Sequence, residues 1–154
     1  MSEQGTKREG GCMCGAVRFV ATDVPSKAGV CHCEMCRRWT GSALIGVTVP
    51  TDKVTWSGDA LGVIASSHWA ERGFCTKCGS GMYFRVTMPG DWFGTTELPI
   101  GLFDDANGFE ITNEIYIDHK PDSFAYAGMD GRRLLTRQEC VEKFGVLDGG
   151  GPED

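Results

Sequence analysis

The sequence predicts a mainly β domain with one short C-terminal helix, and three observations carry this prediction. Apolar residues alternate with polar residues over short stretches, which is typical of half-buried strands. Glycine accounts for 22 of the 154 residues, about twice its usual share of roughly 7%, which indicates many turns and few long helices. One complete set of helix start and stop signals lies near the C-terminus.

Short strands are predicted along the first half of the chain. Val17, Phe19 and Ala21 alternate with their neighbours and predict a strand. The apolar run at residues 43–49, followed by Pro50, is typical of a buried strand. Further short strands are predicted at residues 54–56, 61–65 and 82–86.

The clearest alternation lies between residues 109 and 118 and predicts a half-buried strand. Its apolar members are Phe109, Ile111, Ile115 and Ile117, and the polar members expected on the opposite face are Glu110, Thr112, Glu114 and Asp118.

The C-terminal helix is predicted from its end signals. Thr136 and Glu139 have the spacing of a capping box, in which each side chain hydrogen-bonds the backbone of the other residue. Gly145 stands where a glycine would end the helix. Cys140, within this helix, is predicted to be a small core residue.

Composition and charge exclude several classes of protein. Hydrophobic residues make up 41% of the chain and charged residues 23%, as in a globular protein rather than a disordered one. The net charge of −6 repels phosphate backbones and anionic lipids, so we expect neither a nucleic acid nor a membrane as partner. The length favours one domain, predicted over residues 8–147 between flexible tails at 1–7 and 148–154. The first ten residues lack the apolar stretch of a secretory signal, so we expect a cytoplasmic protein.

Seven of the eight cysteines fall into three tight clusters. In a reducing compartment, clustered cysteines bind metals more often than they form disulfides, and disulfides remain the less favoured alternative. Zinc suits a site built only from soft thiolates. The clusters are Cys12-x-Cys14, Cys31-x-Cys33-x-x-Cys36 and Cys75-x-x-Cys78.

The first and third clusters together supply four thiolates, the ligand set of a closed tetrahedral zinc site. In an extended segment Cys12 and Cys14 project to the same face, and a C-x-x-C pair that turns through Gly79 can hold the same ion. The middle cluster then offers three thiolates and an open fourth position, as catalytic zinc sites do.

Other arrangements stay open at the level of sequence. Cys31 and Cys33 could pair with the third cluster instead, although Cys36 would then be left beside its own cluster. A histidine or carboxylate could close the middle site and make it structural. His32 is expected to point away from its two neighbouring cysteines and not to be a ligand. Glu34 could move protons or be a solvated turn residue.

Three segments around these clusters carry a resemblance to a known family. They read GGCMCGAVRF at residues 10–19, CHCEMCRRWTGSA at 31–43 and RGFCTKCGSGMYF at 72–84. These three segments resemble the glutathione-dependent formaldehyde-activating enzymes, a family that includes the centromere protein V-like proteins. Residues 101–105 and 120–122 resemble the same family more weakly. Two positions depart from the family pattern: Glu114 stands where members often carry histidine, and Ser123 where they often carry tryptophan.

The resemblance implies a fold of coiled antiparallel β-sheets that carries zinc, similar to methionine sulfoxide reductase B. It implies two zinc ions per chain, one structural and one that faces the substrate and is catalytic. The family activity is the condensation of glutathione with formaldehyde to S-hydroxymethylglutathione, classed as a carbon–sulfur lyase. The structural ligands implied are Cys12, Cys14, Cys75 and Cys78, and the catalytic ones are Cys31, Cys33 and Cys36.

The sequence therefore predicts a zinc-dependent carbon–sulfur lyase that adds a glutathione-like thiol to formaldehyde or a related small aldehyde. Arg37 and Arg38 are candidates to bind the carboxylates of such a thiol. The second zinc is expected to be held less tightly, because it has three ligands. The alternatives are a non-catalytic zinc-binding module of the same family, or the same site used on a different thiol. The sequence leaves open whether the protein forms a homo-oligomer.

Overall fold

Short strands dominate a computed structural model of the chain, which describes residues 6–128 and 131–150. Two α-helices, α1 (Glu34–Thr40) and α2 (Arg137–Phe144), accompany them, so the prediction of a mainly β fold with a short C-terminal helix is confirmed. The strands in chain order are β1 (Thr6–Gly11), β2 (Arg18–Val24), β3 (Lys27–Cys31), β4 (Leu44–Pro50), β5 (Val54–Ser57), β6 (Leu61–Ser67), β7 (Ala70–Cys75), β8 (Gly81–Val86), β9 (Thr95–Pro99), β10 (Glu110–Ile115) and β11 (Arg133–Leu135).

The chain divides into two compact units. The first comprises Met1–Ser26 and Gly46–Phe109, and the second comprises Lys27–Ile45 and Glu110–Asp154. The single domain predicted over residues 8–147 stays a prediction. Of the predicted tails, residues 1–5 and 151–154 lie outside the described residues. Lys7 lies in β1, and residues 148–150 make the contacts described below.

The first unit is built from antiparallel strands. One sheet has the order β1-β2-β5, and a second run of strands pairs in the order β4-β9-β8-β7-β6. Its core is rich in aromatic side chains: the ring of Phe19 lies 5.3 Å from Trp56 and 5.4 Å from Phe103, and Trp56 lies 5.5 Å from Tyr83. This packing fixes the β1–β2 hairpin, whose connecting loop carries the first cysteine cluster.

The second unit contains three parallel strands, in the order β11-β10-β3. This differs from the antiparallel arrangement expected. Parallel neighbours need a connection of about a dozen residues or more, and the chain between β10 and β11, residues 116–132, is long enough. The parallel register places Ile115, at the end of β10, opposite Cys31, at the end of β3.

The alternating segment at residues 109–118 forms a shorter strand than predicted. β10 ends at Ile115, and Ile117 begins a 3-10 turn. The predicted orientation of Glu114 is wrong: its side chain is 2% exposed, whereas Ile115 is only half-buried. A register shift in the middle of β10 alters the phase of the alternation, and two basic side chains described below satisfy the buried carboxylate.

Helix α2 begins and ends as predicted. Thr136 Oγ1 accepts a hydrogen bond from the backbone of Glu139, and the Glu139 carboxylate accepts one from the backbone of Thr136, which completes the capping box. Gly145 ends the helix with φ of 66°. Cys140 is fully buried, as expected for a small core residue.

Helix α1 is absent from the sequence predictions. It has seven residues, too few to show a helical period of apolar positions. Cys33 caps its N-terminus by accepting a hydrogen bond from the backbone of Cys36, and Gly41 ends it at φ of 76°.

Neither this helix nor any other in the described parts of the chain is both long and apolar enough to cross a membrane.

Candidate metal centres

Four cysteine sulfurs converge in the first unit, all within 4.8 Å of one another: those of Cys12, Cys14, Cys75 and Cys78. Cys14 Sγ lies 3.7 Å from Cys12 Sγ and 3.8 Å from Cys75 Sγ. These distances are far longer than the about 2.05 Å of a disulfide. A tetrahedral zinc site with Zn–S bonds of about 2.3 Å has sulfurs about 3.8 Å apart. The donor set therefore fits a zinc ion.

Backbone N–H groups point at these sulfurs. Val17 N donates to Cys12 Sγ at 3.3 Å, and the backbone nitrogens of Lys77 and Cys78 each donate to Cys75 Sγ at 3.4 Å. Hydrogen bonds to a thiolate stabilise its charged form. The local backbone thus prepares the first and third clusters for a cation.

The turn of the third cluster passes through Gly79, as predicted, and its φ of 83° favours glycine. The Ser80 hydroxyl lies 3.1 Å from Cys78 Sγ. This hydrogen bond, with further backbone bonds, lowers the pKa of Cys78 to about 5. The cluster therefore presents a thiolate, the form that binds metals, at neutral pH.

Three further sulfurs converge in the second unit, again within 4.8 Å of one another. Cys31 ends β3, Cys33 caps α1, and Cys36 lies in the first turn of that helix. Within residues 6–128 and 131–150, no further cysteine, histidine or carboxylate belongs to this group. The structure thus brings together the three cysteines that the sequence grouped, and their thiols fit a metal with three protein ligands.

In this second group the neighbouring thiols and burial raise the pKa of two cysteines. Cys33 is 4% exposed. The hydrogen bond with Cys33, the closeness of Cys36 and burial raise the pKa of Cys31 well above its usual value. The bond with Cys31 lowers the pKa of Cys33, but Cys36 and burial outweigh it and raise this pKa to about 12. Without a cation Cys31 and Cys33 keep their protons, so metal binding by these two thiols must release them.

His32 is buried and lies outside the sulfur group, as predicted. Its Nε2 lies 2.7 Å from Glu114 Oε1, and Arg132 Nη1 donates to Glu114 Oε2 at 2.9 Å. Burial by itself would raise the pKa of Glu114, but these two hydrogen bonds outweigh it and hold the pKa below its usual value. The sequence analysis did not predict this network. Its one available signal was Glu114 itself, which stands where members of the family often carry histidine.

The two predicted substrate-binding arginines lie on α1, the helix that carries Cys36. Arg38 Nε donates to Glu34 Oε2 at 2.9 Å, and the Arg38 side chain is 70% exposed. Glu34 therefore lies in the first turn of α1 and pairs with Arg38. It does not lie in a loop, as the alternative of a solvated turn residue supposed. Arg37 is half-buried, and its role at the site stays a prediction.

Comparison with known proteins agrees with the resemblance seen in the sequence. The family model of the glutathione-dependent formaldehyde-activating enzymes matches residues 7–119. An uncharacterized lyase of Schizosaccharomyces pombe is 31% identical over 119 residues, which is 77% of this chain and 85% of that protein. A Halomonas elongata protein, provisionally named a glutathione-dependent formaldehyde-activating enzyme, is 30% identical over 89 residues. That match spans 49% of this chain and 54% of the Halomonas protein.

The fold is also found in a solved structure. A crystal structure of a Rhodobacter sphaeroides protein matches 83% of this chain and 99% of its own, with a TM-score of 0.53 and 17% sequence identity. The family match includes both cysteine groups and ends at residue 119. Strand β11 and helix α2 therefore lie beyond it.

Proposed function

Because the chain belongs to the glutathione-dependent formaldehyde-activating enzyme family, we propose that it is a zinc-dependent carbon–sulfur lyase. It joins a glutathione-like thiol to formaldehyde or a related small aldehyde. One observation carries this proposal beyond family membership: the sulfurs of the second unit form a group of three, with no fourth metal-ligating side chain among the described residues. A site with three protein ligands leaves one position for a substrate.

The reaction forms a bond between the thiol sulfur and the carbonyl carbon, and the thiol proton ends on the carbonyl oxygen. Cys31, Cys33 and Cys36 are the residues that hold the zinc. When bound there, zinc supplies a positive charge that favours the deprotonated form of an incoming thiol at neutral pH. Burial of Cys33 and Cys36 limits access of water to this side of the site and strengthens electrostatic interactions within it.

Recognition of an anionic thiol falls to the arginines of α1. Arg37 is the stronger candidate, because Arg38 already pairs with Glu34. A guanidinium can bind a carboxylate through two parallel hydrogen bonds. Arg37 therefore binds a carboxylate of the thiol substrate, and the exposed Arg38 adds positive charge on the same helix.

The four-cysteine group has a structural role in this proposal. Its ligands come from two segments distant in sequence, and four thiolates leave no position for a substrate. Zinc in this group ties the β1–β2 hairpin to the end of β7. The expected cytoplasmic location and the expected absence of nucleic-acid and membrane partners stay predictions.

The test is acceleration of the exchange between glutathione, formaldehyde and their adduct, measured by exchange NMR against the uncatalysed background. We expect acceleration by the zinc-loaded protein and none by Cys36→Ser. Cys140→Ala is the matched control, because this cysteine lies outside both groups, and it should retain the activity. Full activity in Cys36→Ser would exclude the three-cysteine site, and a protein that binds two zinc ions without acceleration would favour the non-catalytic module.

A further inference from the structure

The chain returns to the three-cysteine site near its C-terminus. A Cβ atom at Gly149 would lie 2.9 Å from Cys33 Sγ and 3.6 Å from Met35 Sδ. The backbone nitrogen of Met35, in α1, donates to the carbonyl oxygen of Gly149 at 3.1 Å. The backbone of Gly149 therefore lies directly against the sulfur of a proposed metal ligand, in space that no side chain could share.

Tyr116 anchors this returning segment through its hydroxyl. The hydroxyl accepts a hydrogen bond from Gly149 N at 3.0 Å and donates one to Asp148 Oδ1. Burial and the Asp148 carboxylate raise the pKa of Tyr116, so the hydroxyl keeps its proton and remains a donor. Next along the chain, a Cβ atom at Gly150 would lie 2.4 Å from the Tyr116 ring. Two consecutive glycines thus allow the close approach.

The backbone of Tyr116 is itself unusual. It has φ of 57° and ψ of 45°, a conformation that is rare and costly for a bulky residue. Such conformations persist only where surrounding contacts over-determine them. The bonds from the Tyr116 hydroxyl to Asp148 and Gly149 are contacts of that kind.

A second anchor comes from α2. The Arg137 guanidinium donates to the Asp148 carboxylate, and the backbone nitrogen of Arg137 donates to Asp118 Oδ1 at 2.8 Å. Asp148 is therefore held from both sides, by Tyr116 and by Arg137. Both α2 and this segment lie beyond the part of the chain that matches the family model.

We propose that residues 148–150, anchored by Tyr116, form a strap that positions Cys33 as a ligand and slows the loss of metal from the three-cysteine site. This inference rests on the proposed zinc site. An ion with three protein ligands escapes when one ligand rotates away, and Gly149 fills space beside Cys33 Sγ. Tyr116 is a positioning residue, because it acts on the site through Gly149.

The test uses zinc-loaded protein and a chromogenic chelator in excess. Release from the two sites should give two phases, and the phase missing in Cys36→Ser belongs to the three-cysteine site. Tyr116→Phe removes one hydroxyl and both of its hydrogen bonds, so we expect about tenfold faster release in that phase. The four-cysteine phase should not change.

Tyr83→Phe is the matched control. Its buried hydroxyl donates to Glu71 Oε2 at 2.7 Å within the first unit, so this variant loses a comparable bond away from the strap. General loosening of the fold would accelerate release in both variants, whereas the strap predicts acceleration only in Tyr116→Phe.

A second pair of variants tests the strap without the tyrosine. Gly149→Ala places a methyl group against Cys33 Sγ, and Gly101→Ala places one in open space. We expect faster release and an altered visible spectrum of the cobalt-substituted three-cysteine site in Gly149→Ala only. Parental release rates in both Tyr116→Phe and Gly149→Ala would overturn the strap. Binding of a single zinc ion by the parent protein would overturn both the strap and the proposed function, whereas two ions without exchange activity would overturn the function alone.

Discussion

The two cysteine groups differ in what holds them together. The four-cysteine group joins two distant segments, and local backbone N–H groups already direct hydrogen bonds at its sulfurs. The three-cysteine group comes from six consecutive residues, is more deeply buried, and lies against a segment more than a hundred residues further along the chain. The second group also has one local bond of this kind, from Cys36 N to Cys33 Sγ, but unlike the first it lies against a distant segment of the chain.

This difference fits the two chemical tasks that we propose for the groups. A structural zinc contributes most when it links parts of the chain that would otherwise separate, and four thiolates complete its coordination. A substrate-binding zinc must keep one position open, so other contacts must supply the rigidity that a fourth ligand would give. In this chain the proposed strap of residues 148–150 and the buried His32–Glu114 pair would supply it.

The largest expected effect is the loss of folding when a ligand is removed from the four-cysteine group but not from the three-cysteine group. Cys75→Ser should unfold or aggregate the protein, because structural zinc contributes on the order of 10 kcal/mol to folding in small zinc-finger peptides. Cys36→Ser should leave a folded protein with one zinc ion instead of two. Circular dichroism and elemental analysis of both variants provide the measurement. A folded Cys75→Ser beside an unfolded Cys36→Ser would reverse the two roles.

The next largest effect is the loss of stability when the buried network of His32, Glu114 and Arg132 is broken. Glu114→Ala leaves His32 and Arg132 buried without their shared carboxylate, and loss of one partner from such a network costs about 3–5 kcal/mol. Asp104→Ala is the control: its pair with Arg18 is exposed, and exposed pairs contribute about 0–1 kcal/mol. Chemical denaturation of both variants gives the two free energies of unfolding. Equal losses would show that the buried network contributes no more than a surface pair.

The same network predicts a pH dependence. The folded-state pKa of Glu114 lies below its usual value because the hydrogen bonds from His32 and Arg132 outweigh the opposing effect of burial. Its contribution to stability is therefore fully present above the unfolded pKa of about 4.3 and is lost as the pH falls through the folded pKa. The stability difference between parent and Glu114→Gln should shrink as the pH falls below about 4.3. Protonation of the cysteines affects both proteins alike, so a constant difference would contradict the assignment.

The sequence predicted what depends on spacing along the chain. The three cysteine clusters follow from residues two or three positions apart, and the ends of α2 follow from Thr136, Glu139 and Gly145. Spacing alone left the pairing of the first cluster with the third open, and the structure brings those four sulfurs together. Burial of Glu114 did not follow, because a bulge shifts the alternation in β10 and a required partner, Arg132, lies beyond that strand. The contact that underlies the proposed strap was not predicted either: a glycine run near a chain end is typical of a flexible tail, and only the structure shows that Gly149 lies against Cys33.

The smallest expected effects compare the two neighbouring arginines of α1. Arg38 is exposed and pairs with Glu34 four residues before it, so Arg38→Ala should change stability by only about 0.5 kcal/mol. If Arg37 binds a carboxylate of the thiol, Arg37→Ala should weaken glutathione binding by about tenfold, because a hydrogen bond to a charged group contributes about 1.5–3 kcal/mol. Affinity for a neutral thiol such as 2-mercaptoethanol should stay the same in both variants. Calorimetric titration of zinc-loaded protein measures all four affinities, and an equal loss for the neutral thiol would mean that Arg37 shapes the site rather than binds the charge.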